Sequence, residues 1–423
     1  MFDAYGKQNI FTFASVKEHG ERKKLLAHAY SKGRIVKGDV AAEIEQKVEN
    51  WLSWIDSIEN GIDQIFRSLH YFSLDNITNF LYPRDHGGTA ALLGNTEHQA
   101  MLDDMLDPAR RQLTWFVVHF PKFTKWLYTR AGMMDRLVTP ILPMKKPATY
   151  SCMRIHAFRA MEMVRDAVSA GKLVPDLNRT VIERLWLQHE SVKKSGLDDH
   201  GIASECSDHF LAGIDTTSDT LMFLIWALSL PVNQKYQARL IEEALTVPET
   251  SLNRFGNPTV EAADKLPYLD AVIKEVLRVY APIPESEPRE PPEDTVIDGY
   301  SIPARTIVSL QPYTLHRNAG VFSEPLKFDP ERWLNSSEQN LVEMKRWWWA
   351  FSSGGRMCIG QHLAMAEMVG LVSALYRTYK TSIKPGFEGI APGIVSRFEV
   401  FSDETFQKVE EHTCWIRFDR HGK

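Results

Sequence analysis

The sequence predicts a mainly α-helical fold with a minor β part. Apolar residues recur at helical spacing between residues 364 and 375, and residues 201–230 have the pattern of one long helix that ends at Pro231. The clearest β pattern, a hairpin followed by a further strand, is confined to residues 296–310. Long helical patterns beside so little β pattern favour a helical domain.

The composition excludes several classes of protein. Of the 423 residues, 44% are hydrophobic and 24% are charged, as expected for a globular protein with a sizeable core. The net charge of −5 argues against nucleic-acid binding, because phosphate binding needs a basic surface. The four cysteines match no zinc spacing and are too few for a disulfide framework, so we expect a reducing compartment. No apolar run approaches the ~20 residues of a membrane span.

The first half of the chain shows helical patterns but little chemistry. Residues 17–30 form a basic helical segment, and their charge pattern alone indicates a solvated helix face. Between residues 40 and 188, helical patterns alternate with short breaks, for example over residues 42–68, 99–128 and 154–170. This half predicts helices but no catalytic motif.

The long predicted helix carries an unusual sequence at its middle, where residues 212–217 are A-G-I-D-T-T. Thr216 can bond back to the preceding turn and loosen the helix, while Ala212 and Gly213 leave room for a large planar group. A surface stripe with a solvated Asp215 would have the same sequence. The motif is therefore a candidate site that needs a second observation.

A second helical pattern begins near Pro267 and carries an E-x-x-R motif. Glu275 and Arg278 lie three residues apart on one helix face, so they can form an ion pair. Such pairs are usually surface salt bridges that contribute little to stability. On its own the motif indicates a structural contact.

The β pattern follows that helix. Residues 296–297 and 300–302 flank the dipeptide Asp298-Gly299, which predicts a hairpin, and residues 306–310 predict a further strand. A short strand-like run near the C-terminus covers residues 398–401.

The stretch expected to carry the chemistry is residues 351–360, F-S-S-G-G-R-M-C-I-G. Its serines and glycines allow a tight turn before Cys358. A helical pattern follows, and a helix N-terminus favours a thiolate over a thiol. A thiolate is the axial ligand with which haem iron promotes O–O cleavage. Phe351 is placed to shield the sulfur, and Arg356 to pair with a haem propionate. A lone cysteine is more often a small buried hydrophobic residue, so the surrounding pattern decides.

That pattern, F-x-x-G-x-R-x-C-x-G, resembles the haem-binding signature of the cytochrome P450 family, the haem-thiolate monooxygenases. Residues 328–333, F-D-P-E-R-W, resemble the P-E-R segment of the family. The acid–threonine helix, the E-x-x-R helix, the hairpin and the cysteine loop follow in family order through the last half of the chain. The first half matches loosely. The resemblance implies one haem-binding domain over residues 1–423, most similar to the microsomal fungal branch.

The resemblance also implies roles for individual residues. Cys358 would be the metal ligand, and Asp215 and Thr216 would be catalytic residues that guide protons to bound dioxygen. Arg332 would join Glu275 and Arg278 in a structural cluster beneath the cysteine loop. The implied cofactor-binding residues are Phe351, Gly354, Arg356, Gly360, Arg289, Arg22 and Lys23.

The family implies haem b as the cofactor and NADPH as the electron source, through an NADPH–cytochrome reductase. One oxygen atom of O₂ would enter a lipophilic small molecule, such as a terpenoid, polyketide, sterol or fatty acid, in secondary metabolism. By the same resemblance, the protein would lie at the cytoplasmic face of the endoplasmic reticulum membrane, with possible contact to the membrane surface.

Family members carry a membrane anchor and the first strands of a sheet before the basic helix, so we expect the chain to be truncated at its N-terminus relative to the family. Three alternatives follow: a catalytically silent haem-binding protein, a fragment that does not fold, or an isomerase or dehydratase that needs no reductase. Asp215 and Thr216 argue against the last.

Overall fold

The computed structural model describes residues 5–105, 120, 122–123, 126, 132–138, 140–141, 151–191, 197–284, 287–395 and 400–421. Helices account for 56% of the structure and strands for 10%. The predicted fold class, mainly α with a minor β part, is therefore confirmed.

Helices make up most of the chain that is described before residue 197. In chain order they are α1 (Val16–Ala27), α2 (Lys32–Ile35), α3 (Gly38–Asp56), α4 (Ile65–Leu81), α5 (Thr96–Met105), α6 (Met133–Val138), α7 (Ser151–Ser169) and α8 (Val181–Ser191). The helices that follow are α9 (Asp199–Ser229), α10 (Gln234–Leu245), α11 (Val260–Ala263), α12 (Pro267–Val279), α13 (Pro312–Leu315), α14 (Arg332–Asn335), α15 (Glu338–Trp347) and α16 (Gln361–Thr378).

The described strands are short and form sheets of two or three strands. They are β1 (Ile62–Gln64), β2 (Glu287–Arg289), β3 (Thr295–Ile297), β4 (Tyr300–Ile302), β5 (Val308–Leu310), β6 (Tyr379–Ile383), β7 (Ile390–Val395), β8 (Val400–Ser402), β9 (Lys408–Glu411) and β10 (Trp415–Arg420). Strands β1, β10 and β6 form one antiparallel sheet, and β7 lies between β8 and β9 in another. Strands β2 and β5, and β3 and β4, form antiparallel pairs.

Helix α9 is the long helix that the sequence predicts over residues 201–230. The carboxylate of Asp198 caps it by accepting a hydrogen bond from the backbone N–H of Gly201 at 2.9 Å, and Pro231 follows its last turn. Every residue from position 217 to 229 is buried, so this part of the helix is covered on all sides. Helices α4, α7, α12 and α16 all pack against it. It is the element that the other helices share.

The helical segment predicted over residues 42–68 is wrong as one element, because a strand divides it. Helix α3 ends at Asp56, and β1 then pairs with β10, with Asp63 opposite Ile416. Gly61 turns the chain there at a φ of 61°. The break is not visible in the sequence pattern, because α3 and α4 both carry buried apolar residues on either side of it. Most of the helix predicted over residues 99–128 lies outside the described residues.

The predicted hairpin is confirmed. Strands β3 and β4 pair with Ile297 opposite Tyr300, and the two turn residues between them both have positive φ, 51° at Asp298 and 82° at Gly299. Two successive left-handed residues form the type I′ turn, whose twist matches that of the flanking strands. The further strand is confirmed as β5, and Arg305 before it takes a φ of 64°.

One hydrophobic core runs through the described parts of the chain, from Ile10 to Phe418. A second, smaller cluster consists of Ala271, Phe322, Trp333 and Met344 and lies beside the start of the cysteine loop. Within the described ranges, none of the helices combines the length and the apolar character that crossing a membrane requires.

Candidate functional site

The backbone of residues 351–360 holds Cys358 at the start of α16. Ser352 and Gly354 take positive φ of 59° and 70°, so the chain turns back on itself before the cysteine. The loop is then closed by the backbone N–H of Cys358, which donates to the carbonyl oxygen of Phe351 at 2.9 Å. Gly360 is the N-cap residue of α16, and the thiol of Cys358 is exposed. The loop therefore presents one sulfur at a helix N-terminus.

Aromatic rings support the loop from below. The rings of Phe351 and Trp348 meet edge to face with centroids 5.9 Å apart. The rings of Trp333 and Trp348 also meet edge to face, with centroids 6.3 Å apart. The indole N–H of Trp348 donates to the carbonyl oxygen of Lys274 in α12 at 3.1 Å. Trp348 thus ties the loop to the helix that carries the E-x-x-R motif.

The structure brings Glu275, Arg278 and Arg332 together in a buried cluster. Glu275 accepts five hydrogen bonds of 2.8–3.0 Å: two from Arg278, one from Arg332, one from the indole of Trp333 and one from the backbone N–H of Asp329. Burial acts to raise the pKa of Glu275, but the charge and hydrogen bonds of the two arginines outweigh it and lower the pKa. The cluster joins α12 to the P-E-R segment as an ion pair that water does not reach.

His316 connects this cluster to the cysteine loop. Its Nδ1 donates to the carbonyl oxygen of Arg278 at 3.1 Å, and its Nε2 accepts from the backbone N–H of Trp349 at 2.8 Å. The ring is fully buried, and burial together with the charge of Arg278 lowers its pKa to about 3. His316 is therefore a neutral bridge between two backbone segments, a role that its position in the sequence does not indicate.

Positive charge gathers around the cysteine loop. Lys23 in α1 donates to the carbonyl oxygens of Gly355 and Met357, both at 2.9 Å, and the guanidinium of Arg356 donates to the carbonyl oxygen of Phe13 at 2.6 Å. Arg289 lies 3.5 Å from the hydroxyl of Ser352. Burial and the nearby charge of Arg289 lower the pKa of Arg356. Burial and the charge of Arg356 lower the pKa of Lys23, while Cys358 acts to raise it. These cations destabilise one another unless an anion joins them.

Arg22 points away from this loop and toward α9. Its guanidinium forms an ion pair with the buried carboxylate of Glu205 and lies 5.2 Å from the ring centre of Phe13. Glu205 also accepts from the backbone N–H of Ile10 at 3.2 Å and lies 3.3 Å from the ring of His209. Arg22 thus links the basic helix to the central helix, and Lys23 is its neighbour that reaches the cysteine loop.

The middle of α9 holds the acid–threonine motif. The hydroxyl of Thr216 donates to the carbonyl oxygen of Ala212 at 2.9 Å, which is the backward bond predicted for it. Asp215 is partly exposed, with 22% of its side-chain surface accessible. The sequence predicts that both Ala212 and Gly213 leave room for a large planar group. Only Ala212 is exposed as this requires. A Cβ at Gly213 would lie 2.6 Å from Ile77 in α4, so that glycine serves the contact between two helices.

Comparison with known proteins decides the family. A sequence model described as cytochrome P450 matches residues 99–390, more than half of the chain. The chain belongs to the cytochrome P450 family. The predicted resemblance is thereby confirmed.

Curated relatives of this cytochrome P450 are named as monooxygenases, so its enzyme class is that of oxidoreductases that incorporate oxygen from O₂. The chain is 37% identical to cytochrome P450 monooxygenase aflV of Aspergillus parasiticus, over 87% of this chain and 68% of that protein. It is 37% identical to cytochrome P450 monooxygenase stcB of Emericella nidulans, over 85% of this chain and 64% of that protein. A third relative, cytochrome P450 monooxygenase orf2 of Aspergillus niger, is 27% identical over 86% of this chain and 68% of its own length.

The residues around Cys358 fit the haem that the family binds. A haem carries two anionic propionates and accepts a thiolate on its iron, and the loop offers a cysteine at a helix N-terminus among Lys23, Arg289 and Arg356. An anionic ligand at this place would relieve the repulsion between these neighbouring positive charges. Within the described residues, no group of three or more histidine, cysteine or acidic side chains is arranged to hold a different metal.

Sequence reasoning overlooked two parts of the site. His316 and Trp348 form the bridge from the E-x-x-R helix to the loop, but neither belongs to a periodic pattern or a charged motif. Only their burial and their hydrogen bonds identify them.

Proposed function

We propose that this cytochrome P450 is a haem-thiolate monooxygenase that inserts one oxygen atom of O₂ into a lipophilic small molecule. The observation that supports this most is the presentation of Cys358: a closed loop places its exposed thiol at the N-terminus of α16, and three basic side chains lie near that loop. A bound haem would supply O₂ activation at its iron, favoured by electron donation from the thiolate. Residues 1–423 would form one haem-binding domain.

The cofactor-binding residues divide by what they supply. Phe351 shields the sulfur, while Gly354 and Gly360 allow the loop to turn and to meet the helix. Lys23, Arg289 and Arg356 would pair with the propionates, which are the carboxylates of the cofactor. Arg22 would act indirectly: its ion pair with Glu205 ties α1 to α9, and the neighbouring Lys23 reaches the loop from α1.

Asp215 and Thr216 would supply protons. The carboxyl of Asp215 is partly exposed and can therefore exchange protons with solvent, while the hydroxyl of Thr216 donates to the helix backbone and keeps its lone pairs to accept from a water molecule. A proton taken up by Asp215 would pass to that water, which the hydroxyl of Thr216 would hold beside α9. Asp215 and Thr216 are consecutive residues of α9. Because the carboxyl of Asp215 exchanges protons with solvent, Asp215 would act before Thr216.

Glu275, Arg278 and Arg332 would act structurally. Their cluster, extended by His316, fixes the backbone at Trp349, two residues before the loop begins at Phe351. A shift of this backbone would move the sulfur, so the cluster would set the position of the metal ligand without touching the substrate.

The partners follow from the same proposal. We infer that NADPH supplies the electrons through a cytochrome reductase, and that the enzyme acts in secondary metabolism at the endoplasmic reticulum membrane. The similarity to fungal P450 monooxygenases supports this inference. The substrate would lie beside α9, where apolar residues such as Leu211 would suit a terpenoid, polyketide, sterol or fatty acid.

The deciding experiment is the ferrous–CO difference spectrum of the chain, expressed with haem supply, beside that of Cys358→Ala. A strongly red-shifted Soret band that the variant lacks would support thiolate ligation by Cys358. The same band in the variant, or a wild-type protein that takes up haem without it, would overturn the proposal. Cys206→Ala is the matched control, because that cysteine is buried in α9. NADPH-dependent product formation with reductase would then exclude a silent haem protein and an isomerase.

A further inference from the structure

A histidine on α4 faces the acidic side of the central helix. The Nε2 atom of His70 lies 3.7 Å from a carboxylate oxygen of Asp215 and 3.7 Å from one of Asp219, which follows one helical turn later. The side chain of His70 is 2% exposed and that of Asp219 is 3% exposed, while Asp215 at 22% is the member that solvent reaches. Two acids and one imidazole thus share a nearly dry contact between two helices.

The packing of α4 against α9 fixes this arrangement. Ile77, two turns after His70, lies against Gly213 so closely that a Cβ there would be 2.6 Å away. Nearly all of α4 is buried, including His70 and Ile77. Because the helices touch at Gly213, the imidazole cannot withdraw from the acids without separating them.

The tautomer of His70 follows from its other nitrogen. Nδ1 lies 2.7 Å from the carbonyl oxygen of Phe66, and a carbonyl only accepts, so Nδ1 carries the hydrogen. In the neutral ring Nε2 then has a lone pair, and it faces two carboxyl groups. The 3.7 Å distance exceeds that of a hydrogen bond, and a movement of less than about 1 Å would form one.

The surroundings disfavour a permanent charge on the ring. Burial lowers the pKa of His70 to about 4, and the charge of Arg67 acts in the same direction, while the hydrogen bond to Phe66 opposes both. The other titratable groups nearby are Asp63, which accepts from Ser68, and His412, whose ring stacks on Phe66. In a neutral ring, the lone pair of Nε2 faces the lone pairs of the carboxylate oxygens and repels them. One proton shared between Nε2 and a carboxylate oxygen removes this repulsion.

We propose that His70 is a positioning residue for Asp215, sharing one proton between its Nε2 and the Asp215 carboxyl. In one form the proton is bound to a carboxyl oxygen and points at Nε2. In the other it has left that oxygen for Nε2, giving an imidazolium beside a carboxylate. Asp215 is thereby held in place with a proton to deliver, while solvent can still reach its carboxyl and replace that proton. This inference rests on the proposed role of Asp215 in proton delivery.

The test measures the shared proton directly. In the haem-loaded, CO-bound ferrous protein, which is diamagnetic, the ¹⁵N chemical shift of His70 Nε2 is recorded at pH 7.5, and the signal is assigned by its loss in His70→Phe. We expect a shift between those of a bare and a protonated nitrogen, and in Asp215→Asn we expect it to move to the bare value. Asp208→Asn is the control, since that acid lies seven residues earlier on α9, about 10 Å along the helix.

A Nε2 signal at the bare value in the wild type, or one that Asp215→Asn leaves in place, would reduce His70 to a packed core residue and overturn the proposal. A wild type without the thiolate CO band would instead overturn the proposed function, whatever the nitrogen shift shows. The two failures are therefore distinguishable.

A functional measurement completes the test. With reductase and NADPH, His70→Phe should release several-fold more hydrogen peroxide per NADPH, and His70→Gln, which restores a polar group at that place, should recover part of the loss. His156→Phe removes a mostly buried histidine on α7 that bonds to Gly87, and it should leave the peroxide yield unchanged. Equal peroxide yields in His70→Phe and His156→Phe would contradict a role for His70 in proton delivery.

Discussion

At the scale of single residues, this cytochrome P450 separates the groups proposed to do chemistry from the groups that hold them. Cys358 and Asp215 are accessible, whereas Glu275 and His316 are fully buried and saturated with hydrogen bonds. Buried polar groups lose more when one partner is removed than exposed pairs do, because the remaining partner stays desolvated. Substitutions of the two kinds should therefore have different signatures: lost coupling in one case and lost stability in the other.

Thr216→Ala should uncouple oxygen use from product formation. The variant removes the hydroxyl that bonds to Ala212 and would hold the proton-carrying water. Because a positioned proton donor contributes about 10²-fold or more, we expect at least a tenfold fall in product per NADPH, with hydrogen peroxide rising in its place. Thr216→Ser keeps the hydroxyl and serves as the control. If both variants couple like the wild type, the hydroxyl has no part in proton delivery.

The protein should lose stability as the pH falls below about 6.5, in part through His316. The pKa of His316 in the folded state is lowered to about 3. Between pH 6.5 and pH 3, this histidine therefore binds a proton in the unfolded chain but not in the folded protein. The contribution of the neutral His316 to the free energy of unfolding is complete above pH 6.5 and is lost progressively toward pH 3. By pH 5 the loss should be about 2 kcal/mol.

Urea unfolding of the wild type and His316→Asn at pH 7.5 and pH 5 measures this contribution. The asparagine keeps a donor for the carbonyl of Arg278 but does not titrate in this range. We expect the stability difference between the two proteins to shrink by about 2 kcal/mol at the lower pH. A difference that is equal at both pH values would mean that His316 is not held neutral.

At the scale of elements, the contact between α4 and α9 organises the proton-delivery side of the site. Gly213 lets α4 approach, and the approach sets His70 beside Asp215 and Asp219. A glycine in the interior of a helix costs about 1 kcal/mol of helix propensity, so its presence indicates that close packing outweighs this cost. The acid–threonine motif is therefore defined by its neighbouring helix as well as by its own residues.

Gly213→Ala should destabilise the protein although alanine favours helices. The new Cβ would meet Ile77, a stiff β-branched side chain, at 2.6 Å, and such overpacking costs about 1–3 kcal/mol against a propensity gain of about 1. Gly20→Ala in α1 is the matched control, because nothing lies within 4 Å of its Cβ and it should stabilise. Chemical unfolding measures both. Stabilisation of similar size in the two variants would show that α4 and α9 can separate freely.

At the scale of the whole molecule, one buried network spans about 75 residues of sequence. It begins at Glu275 in α12, passes through Arg278 and His316, and reaches the backbone at Trp349 before the cysteine loop. A second arm leads through Trp333 and the ring of Trp348 to the same loop. The position of the sulfur therefore depends on elements far from it in sequence.

Glu275→Gln should unfold or strongly destabilise the protein and prevent haem uptake. The variant leaves Arg278 and Arg332 buried without their carboxylate, and breaking a buried pair in this way costs about 3–5 kcal/mol. Thermal unfolding and the CO difference spectrum measure the two effects. Glu331→Gln removes a carboxylate from an exposed pair with Arg239 and should change neither. If Glu275→Gln matched that control, the cluster would not support the loop.

Much of the fold and part of the site were predictable because their causes are local. The hairpin follows from Asp298-Gly299, which tolerate positive φ, and the long helix follows from its period and from Pro231. The division of residues 42–68 was not predictable, because β1 exists only through its pairing with β10, more than 350 residues later. Short strands depend on partners that a local pattern does not contain.

The sequence by itself determined the family, the cysteine that is proposed to bind haem iron, the acid–threonine motif and the pair Glu275–Arg278. Each of these is a short pattern whose spacing is set by one helix or one loop. Only the tertiary structure decided where the basic residues point: Lys23 reaches the cysteine loop, while Arg22 pairs with Glu205. It alone placed His70 beside Asp215. These contacts join separate elements, and packing between elements, which no local pattern records, brings such residues together.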